Sequence, residues 1–254
     1  MDLSCCIWAL TDPIDEVLED IAAAGFEVID VRPHTVDGEA RERNLRVSCI
    51  AASQGMPDEV ALYSRDEAVI GQAVEYIEKA LDYGADLGVK TAYIVPEKDE
   101  DAGGLERYAQ SLVQLADRAG ALGIRLCIEH FPGTVLPTVA TTLGFLRAVG
   151  HANLYLLFDI GHAQMSKEDP TAAIRAAGSQ LGYVHLDDND GEDDLHLGLT
   201  DGVLTEEVLQ QTFAALAGIG YDGEVSLELH SELEDALAAL KKSREIVLAA
   251  FSRL

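Results

Sequence analysis

Short runs of aliphatic and β-branched residues alternate along this chain with longer stretches whose apolar positions recur every three to four residues. The junctions between them look alike. A helical stretch ends in Gly, and a β-rich run follows. This occurs as Ala24-Gly25-Phe26 before Val28-Ile29-Asp30-Val31, and as Leu87-Gly88-Val89 before Thr91-Ala92-Tyr93-Ile94-Val95. It recurs as Leu122-Gly123-Ile124 before Leu126-Cys127-Ile128, and as Ile219-Gly220-Tyr221 before Val225-Ser226-Leu227. Gly at a helix end suits the left-handed turn that sends the chain back. Helices between successive strands impose parallel crossovers.

The pattern predicts eight strands, centred near residues 6, 29, 48, 93, 127, 157, 184 and 226. Helices are expected near 13–24, 66–86, 104–121, 138–149, 170–178, 205–217 and 232–252. The first opens on Asp12-Pro13, a cap residue before a proline at the first helical position. In the second, Val69, Ala73, Tyr76 and Ala80 share one face. Residues 34–44 are too short and polar a segment to predict a helix. Eight alternating units fit a closed (β/α)8 TIM barrel better than an open sheet. With no linker or composition break, one domain over 1–254 is the simplest organisation. Either sheet would place its site at the carboxyl ends of the strands.

Composition narrows the function classes. The chain has 254 residues, close to the roughly 250 of a typical β/α barrel, and 48% are apolar. No apolar run approaches the roughly 18 residues of a membrane span, and Met1-Asp2-Leu3-Ser4 lacks a basic leader. A cytoplasmic protein without a membrane partner is expected. Eighteen Lys and Arg against 45 Asp and Glu give a net charge of −27. That charge repels phosphate backbones, so no nucleic-acid partner is expected. Cys5, Cys6, Cys49 and Cys127 lie in strand-like runs without CxxC spacing and read as reduced core residues.

Four late strands end in a side chain able to bind a metal: Ile128-Glu129, Phe158-Asp159-Ile160, Val184-His185-Leu186 and Leu227-Glu228-Leu229. Side chains alternate across a strand, and the flanking Ile128, Phe158, Ile160, Val184, Leu186, Leu227 and Leu229 are bulky and apolar. Glu129, Asp159, His185 and Glu228 therefore point into the barrel. Any one of them alone reads equally as a cap or a satisfied core residue; four at the same end and parity do not. Three inward carboxylates repel one another unless a cation sits among them. Three oxygen donors and one imidazole suit one divalent ion: Mn, Mg, Co or Zn. His162, after Gly161, and His196, in the loop beyond the seventh strand, belong to the same neighbourhood. His130 directly follows Glu129 and by parity faces away; His34, His151 and His230 offer less.

At these residues the chain resembles the xylose isomerase-like barrel superfamily, in particular its sugar phosphate isomerases/epimerases and ketose 3-epimerases. The matching elements are Cys127-Ile128-Glu129-His130, Asp159-Ile160-Gly161-His162, Val184-His185-Leu186-Asp187-Asp188, His196-Leu197-Gly198 and Ser226-Leu227-Glu228. The resemblance implies that Glu129, Asp159, His185 and Glu228 bind the metal and that His162 contacts the sugar. It also implies that Glu129 and Glu228 act as an acid/base pair, moving a proton beside a carbonyl through an enediolate. The partner would be a small sugar or polyol-derived ketose, with a homodimer through the mouth loops as the assembly common in the family.

Three other outcomes stay in view. A lyase of inosose dehydratase type would use the same proton abstraction and then expel hydroxide. A non-catalytic sugar-binding barrel would keep the metal but lack an acid/base carboxylate, whereas both glutamates are present. The superfamily's apurinic endonucleases use three zinc ions and need further histidines, yet here the two regions read Ala51-Ala52-Ser53-Gln54 and Val95-Pro96-Glu97-Lys98. Asp194 and His196 still match part of that pattern. Ketose epimerases usually carry an Arg after the seventh strand, but residues 187–194 contain no Arg or Lys. That loop disfavours a phosphorylated substrate. Arg32 and Lys98 are the cations expected near the mouth.

Overall fold

The β-rich runs form strands that close on themselves. A computed structural model describes residues 1–98 and 103–254. Strands β1 (Asp2–Cys6), β2 (Val28–Val31), β3 (Arg46–Ala51), β4 (Thr91–Ile94), β5 (Arg125–Glu129), β6 (Leu154–Asp159), β7 (Leu181–Leu186) and β8 (Glu224–Leu227) pair in chain order, all parallel. β8 returns to β1 through Ser4 opposite Ser226. This is the expected (β/α)8 barrel.

Helices α1 (Ile14–Ala23), α2 (Glu39–Glu42), α3 (Glu67–Leu87), α4 (Gly104–Ala121) and α5 (Val139–Val149) precede β6. Helices α6 (Ile160–Met165), α7 (Pro170–Ala177), α8 (Glu206–Gly218) and α9 (Ala236–Phe251) follow it. The four junction glycines, Gly25, Gly88, Gly123 and Gly220, all have positive φ, between 73° and 87°. An L side chain is strained there, which accounts for the repeated Gly. Asp66, Thr138, Asp169, Thr205 and Asp235 each accept a backbone N–H in the first turn of the helix that follows.

Four details differ from expectation. α1 starts at Ile14, with Pro13 in the cap position, where no side chain caps the helix. A single turn, α2, forms inside residues 34–44, burying Ala40 against the core. The turn after Asp159 is the short helix α6, because the Asp159 carboxylate accepts the His162 N–H at 2.8 Å. α9 begins at Ala236, where Asp235 caps it, rather than at 232.

One large apolar core lies between the strands and the helices; it includes Ile29, Ile50, Leu112, Phe158, Phe213 and Val247. Inside the barrel, Cys49, Ala51, Tyr93, Cys127, Leu157 and Tyr183 form a second, smaller cluster. All four cysteines are free and buried, as expected. Among the described residues no helix is long and apolar enough to cross a membrane.

Register shifts between β6 and β7 turn Gly182 toward the barrel wall, where an added Cβ would meet Cys127 Sγ at 2.5 Å and Tyr155 Cβ at 2.6 Å. Gly182→Ala should therefore lower stability by ~1–3 kcal/mol in urea unfolding. A wild-type midpoint would mean that the wall yields freely.

Candidate active site

β5, β6 and β7 each deliver one polar side chain into the mouth of the barrel, and the residue after β8 delivers a fourth. Parallel pairing sets Asp159 opposite His185. The Glu228 N–H donates to the Leu186 carbonyl at 3.1 Å, so the ladder carries Glu228 one step past its strand. The flanking Ile128, Phe158, Ile160, Val184, Leu186, Leu227 and Leu229 are buried in the outer core, as alternation requires. Glu129, Asp159, His185 and Glu228 thus come together, one donor atom from each lying within 4.8 Å of the others.

His185 stands at the centre of this group. Its Nδ1 lies 2.6 Å from Glu228 Oε2, 3.6 Å from Glu129 Oε1 and 3.9 Å from Asp159 Oδ2. Burial alone would depress the His185 pKa, but Glu228 and Glu129 outweigh it and hold it well above the usual imidazole range. Burial would likewise raise Glu228, yet His185, with His196 and His162, brings it down to about 2. For Glu129 desolvation wins and the pKa rises. Acids that keep a fully buried imidazole charged make a strongly negative well. Asp159 Oδ2 and His185 Nε2 are buried without a hydrogen-bond partner. This donor set, with an orphaned carboxylate oxygen turned inward, fits one divalent cation.

A second group roofs the first. Asp194 bridges His162 Nε2 (3.4 Å) and His196 Nε2 (3.3 Å). His196 Nδ1 meets Asp187 Oδ2 at 3.1 Å. His162 is buried; against that burial, Asp159, Asp194 and Glu129 raise its pKa to about 10. Gly161 is needed here, since a Cβ would collide with the Asp187 carboxylate, which accepts the Gly161 N–H at 3.0 Å. A cavity of about 390 Å³ opens over both groups, lined by Tyr93, Val95, Phe131, Glu129, His162 and Glu228 among others. His162 and His196 therefore both face the space where a ligand would sit.

The acidic loop after β7 divides by role. Asp188 turns away from the cavity and accepts the N–H groups of Asn189, Gly202 and Leu204. Asp190 accepts those of Glu192 and Asp193. Only Asp187 and Asp194 of these acids reach the histidines.

Three residues escaped the strand-end reading. Trp8 donates its Nε1–H to Glu228 Oε1 at 3.1 Å, and Arg32 stacks over its ring at 5.1 Å. Asp187 shares the parity of His185, two residues on, which was a usable signal. Asp30 is an acid between Ile29 and Val31, the same pattern that singled out Asp159 and Glu228, and it is fully buried. Trp8 had no sequence signal, because only barrel closure brings β1 beside β8. His130 faces out, as parity predicts: its Nε2 accepts the Asp159 N–H at 3.2 Å and its ring stacks on Phe158. His230 and His34 are exposed, and His151 pairs with Asp117.

Residues 17–248 match the model of the family described as xylose isomerase-like TIM barrel. The chain belongs to that family. Within it, the chain is 29% identical over 243 residues to L-ribulose 3-epimerase of Mesorhizobium japonicum, covering 87% of this chain and 77% of the relative. It is 28% identical to D-psicose 3-epimerase of Agrobacterium fabrum, covering 91% and 92% of the two chains. A solved structure of an L-ribulose 3-epimerase superposes with a TM-score of 0.85 at 23% identity, over 100% of this chain and 95% of that one, a likeness of fold.

Trp8 is the chain's one tryptophan and touches a cage carboxylate. Titrating Mn²⁺ into the metal-stripped protein should change its emission with saturation, and Asp159→Asn should remove the saturable phase. Flat emission together with no heat of binding in calorimetry would count against a metal in this cage.

Proposed function

We propose that this chain is a divalent-metal-dependent ketose 3-epimerase for small, unphosphorylated sugars, with residues 1–254 working as one domain. It is an enzyme of the isomerase/epimerase type, as its relatives are. The observation that carries the reading is the approach of two carboxylates, Glu129 and Glu228, to one cavity from strand ends separated by β6 and β7.

Glu129, Asp159, His185 and Glu228 would hold the ion. When bound, it supplies a Lewis acid for a substrate carbonyl and the hydroxyl beside it, which makes the intervening C–H acidic. Glu129 and Glu228 then act from opposite sides of that carbon. One removes the proton, the electron pair passes into an enediolate, and the other returns a proton to the opposite face. Burial of both carboxylates lets their surroundings hold them in different protonation states. Trp8 keeps one oxygen of Glu228 fixed through its indole N–H. His162 and His196, bridged by Asp194, are placed to bind substrate hydroxyls. The loop of residues 187–194 brings carboxylates and no cation to this end, which disfavours a phosphate dianion.

Incubation of the Mn²⁺-loaded protein with a panel of ketoses in D₂O, followed by NMR, should give deuterium at C3 with an unchanged molecular formula. Loss of water instead would point to the lyase, and no exchange with any ketose or inosose would leave a binding barrel. Glu228→Gln should lower turnover about 10²–10⁴-fold, and near-normal turnover would refute its proton-transfer role. Chelation should abolish the exchange, with recovery on adding Mn²⁺ or Co²⁺.

A further inference from the structure

Below the cage, on the barrel axis, lies a carboxylate that the reaction just described does not use. Asp30, on β2, is fully buried. Its Oδ1 accepts hydrogen bonds from three hydroxyls on three other strands: Ser4 Oγ at 2.8 Å, Tyr183 Oη at 2.7 Å, and Ser48 Oγ. Its Oδ2 is left facing His185 Nε2 and Cys6 Sγ, each at 3.9 Å. A buried carboxylate is costly, although here three hydroxyls offset part of that cost through Oδ1. Those bonds give no reason for the direction of Oδ2.

The His185 ring supplies one. It is held edge-on between Tyr93, with centroids 5.1 Å apart, and Tyr183, 5.8 Å apart. In that clamp Nδ1 is turned to Glu228, Glu129 and Asp159, and Nε2 to Asp30. A metal-binding imidazole works with one nitrogen free of its proton and the other carrying it, and a carboxylate behind the second nitrogen fixes that choice and raises ligand basicity. Tyr183 takes part twice, clamping the ring and anchoring Asp30.

We propose that Asp30 is the positioning residue of the metal cage: it sets the orientation and tautomer of His185 from below, and so tunes metal affinity without touching substrate. This rests on the metal reading above. Three strands converge on it: β1, β3 and β7 hold one carboxylate oxygen, and the other faces His185 and the Cys6 thiol.

The test is calorimetric titration of Mn²⁺ into the stripped full-length protein, paired with urea unfolding of the same metal-free samples. Asp30→Asn keeps the shape and should weaken Mn²⁺ binding about 10–100-fold. A purely structural Asp30 would move the unfolding midpoint and leave the affinity unchanged, which would overturn the inference. Tyr183→Phe retains the carboxylate but removes one of its anchors, and a smaller loss of affinity in the same direction is expected. Should Asp30→Asn fail to fold, unchanged affinity in Tyr183→Phe would be decisive against the role. Wild-type protein that takes up no Mn²⁺ would remove the cage and this inference together; wild-type binding matched by both variants would remove the inference alone.

Discussion

Mutual repulsion among acids that water cannot reach is the constraint around which this molecule is arranged. Glu129, Asp159 and Glu228 are buried at one end of a closed sheet and converge on one imidazole. Hydrogen-bonded strands lie about 4.8 Å apart, so the spacing of their ends is set by the backbone and cannot relax to separate the charges. The potential has to be met by positive charge. The imidazoles meet part of it: the acids around them hold the pKa values of His185 and His162 above the usual imidazole range despite burial. A divalent cation meets the same demand with more charge in one place.

The surroundings are organised to keep that arrangement rigid. Trp8 fixes Glu228 from β1's side, His130 supports the backbone of Asp159 from the helix layer, and the Asp159 carboxylate caps α6 while one oxygen stays turned to the cage. Gly161 lets Asp187 approach α6 closely enough to hold His196 in turn. The contacts of Trp8 with Glu228, His130 with Asp159 and Gly161 with Asp187 join elements distant in sequence, so the geometry of the site depends on the whole barrel closing. The same closure brings β8 back beside β1, which is why a residue near the start of the chain touches one near its end.

The surplus of acid seen in the composition has more than one use. Much of it is solvated surface, as in the exposed pair of Glu75 with Lys79. Part of it holds backbone, as Asp188 and Asp190 do in the loop after β7. A small buried set makes the site. Net charge by itself separates none of these, because the roles depend on which carboxylates are desolvated.

Period and punctuation in the chain were sufficient for the barrel: a glycine after an amphipathic stretch and a β-rich run after that glycine recur four times, and they are local signals with local causes. Strand parity was sufficient to bring Glu129, Asp159, His185 and Glu228 together, since alternation puts them on one side of their strands whatever the neighbours do. The one-turn α2 and the short α6 were not legible, because each is decided by a packing or capping contact rather than by periodicity. Trp8 and Asp30 are the clearest cases of what only the folded chain decided. An indole in Ile7-Trp8-Ala9 is unremarkable in its local sequence, and Ile29-Asp30-Val31 shows the parity of its acid but not its partners. They join the site because strand pairing and burial, which are properties of the closed barrel, bring them within reach of Glu228 and His185.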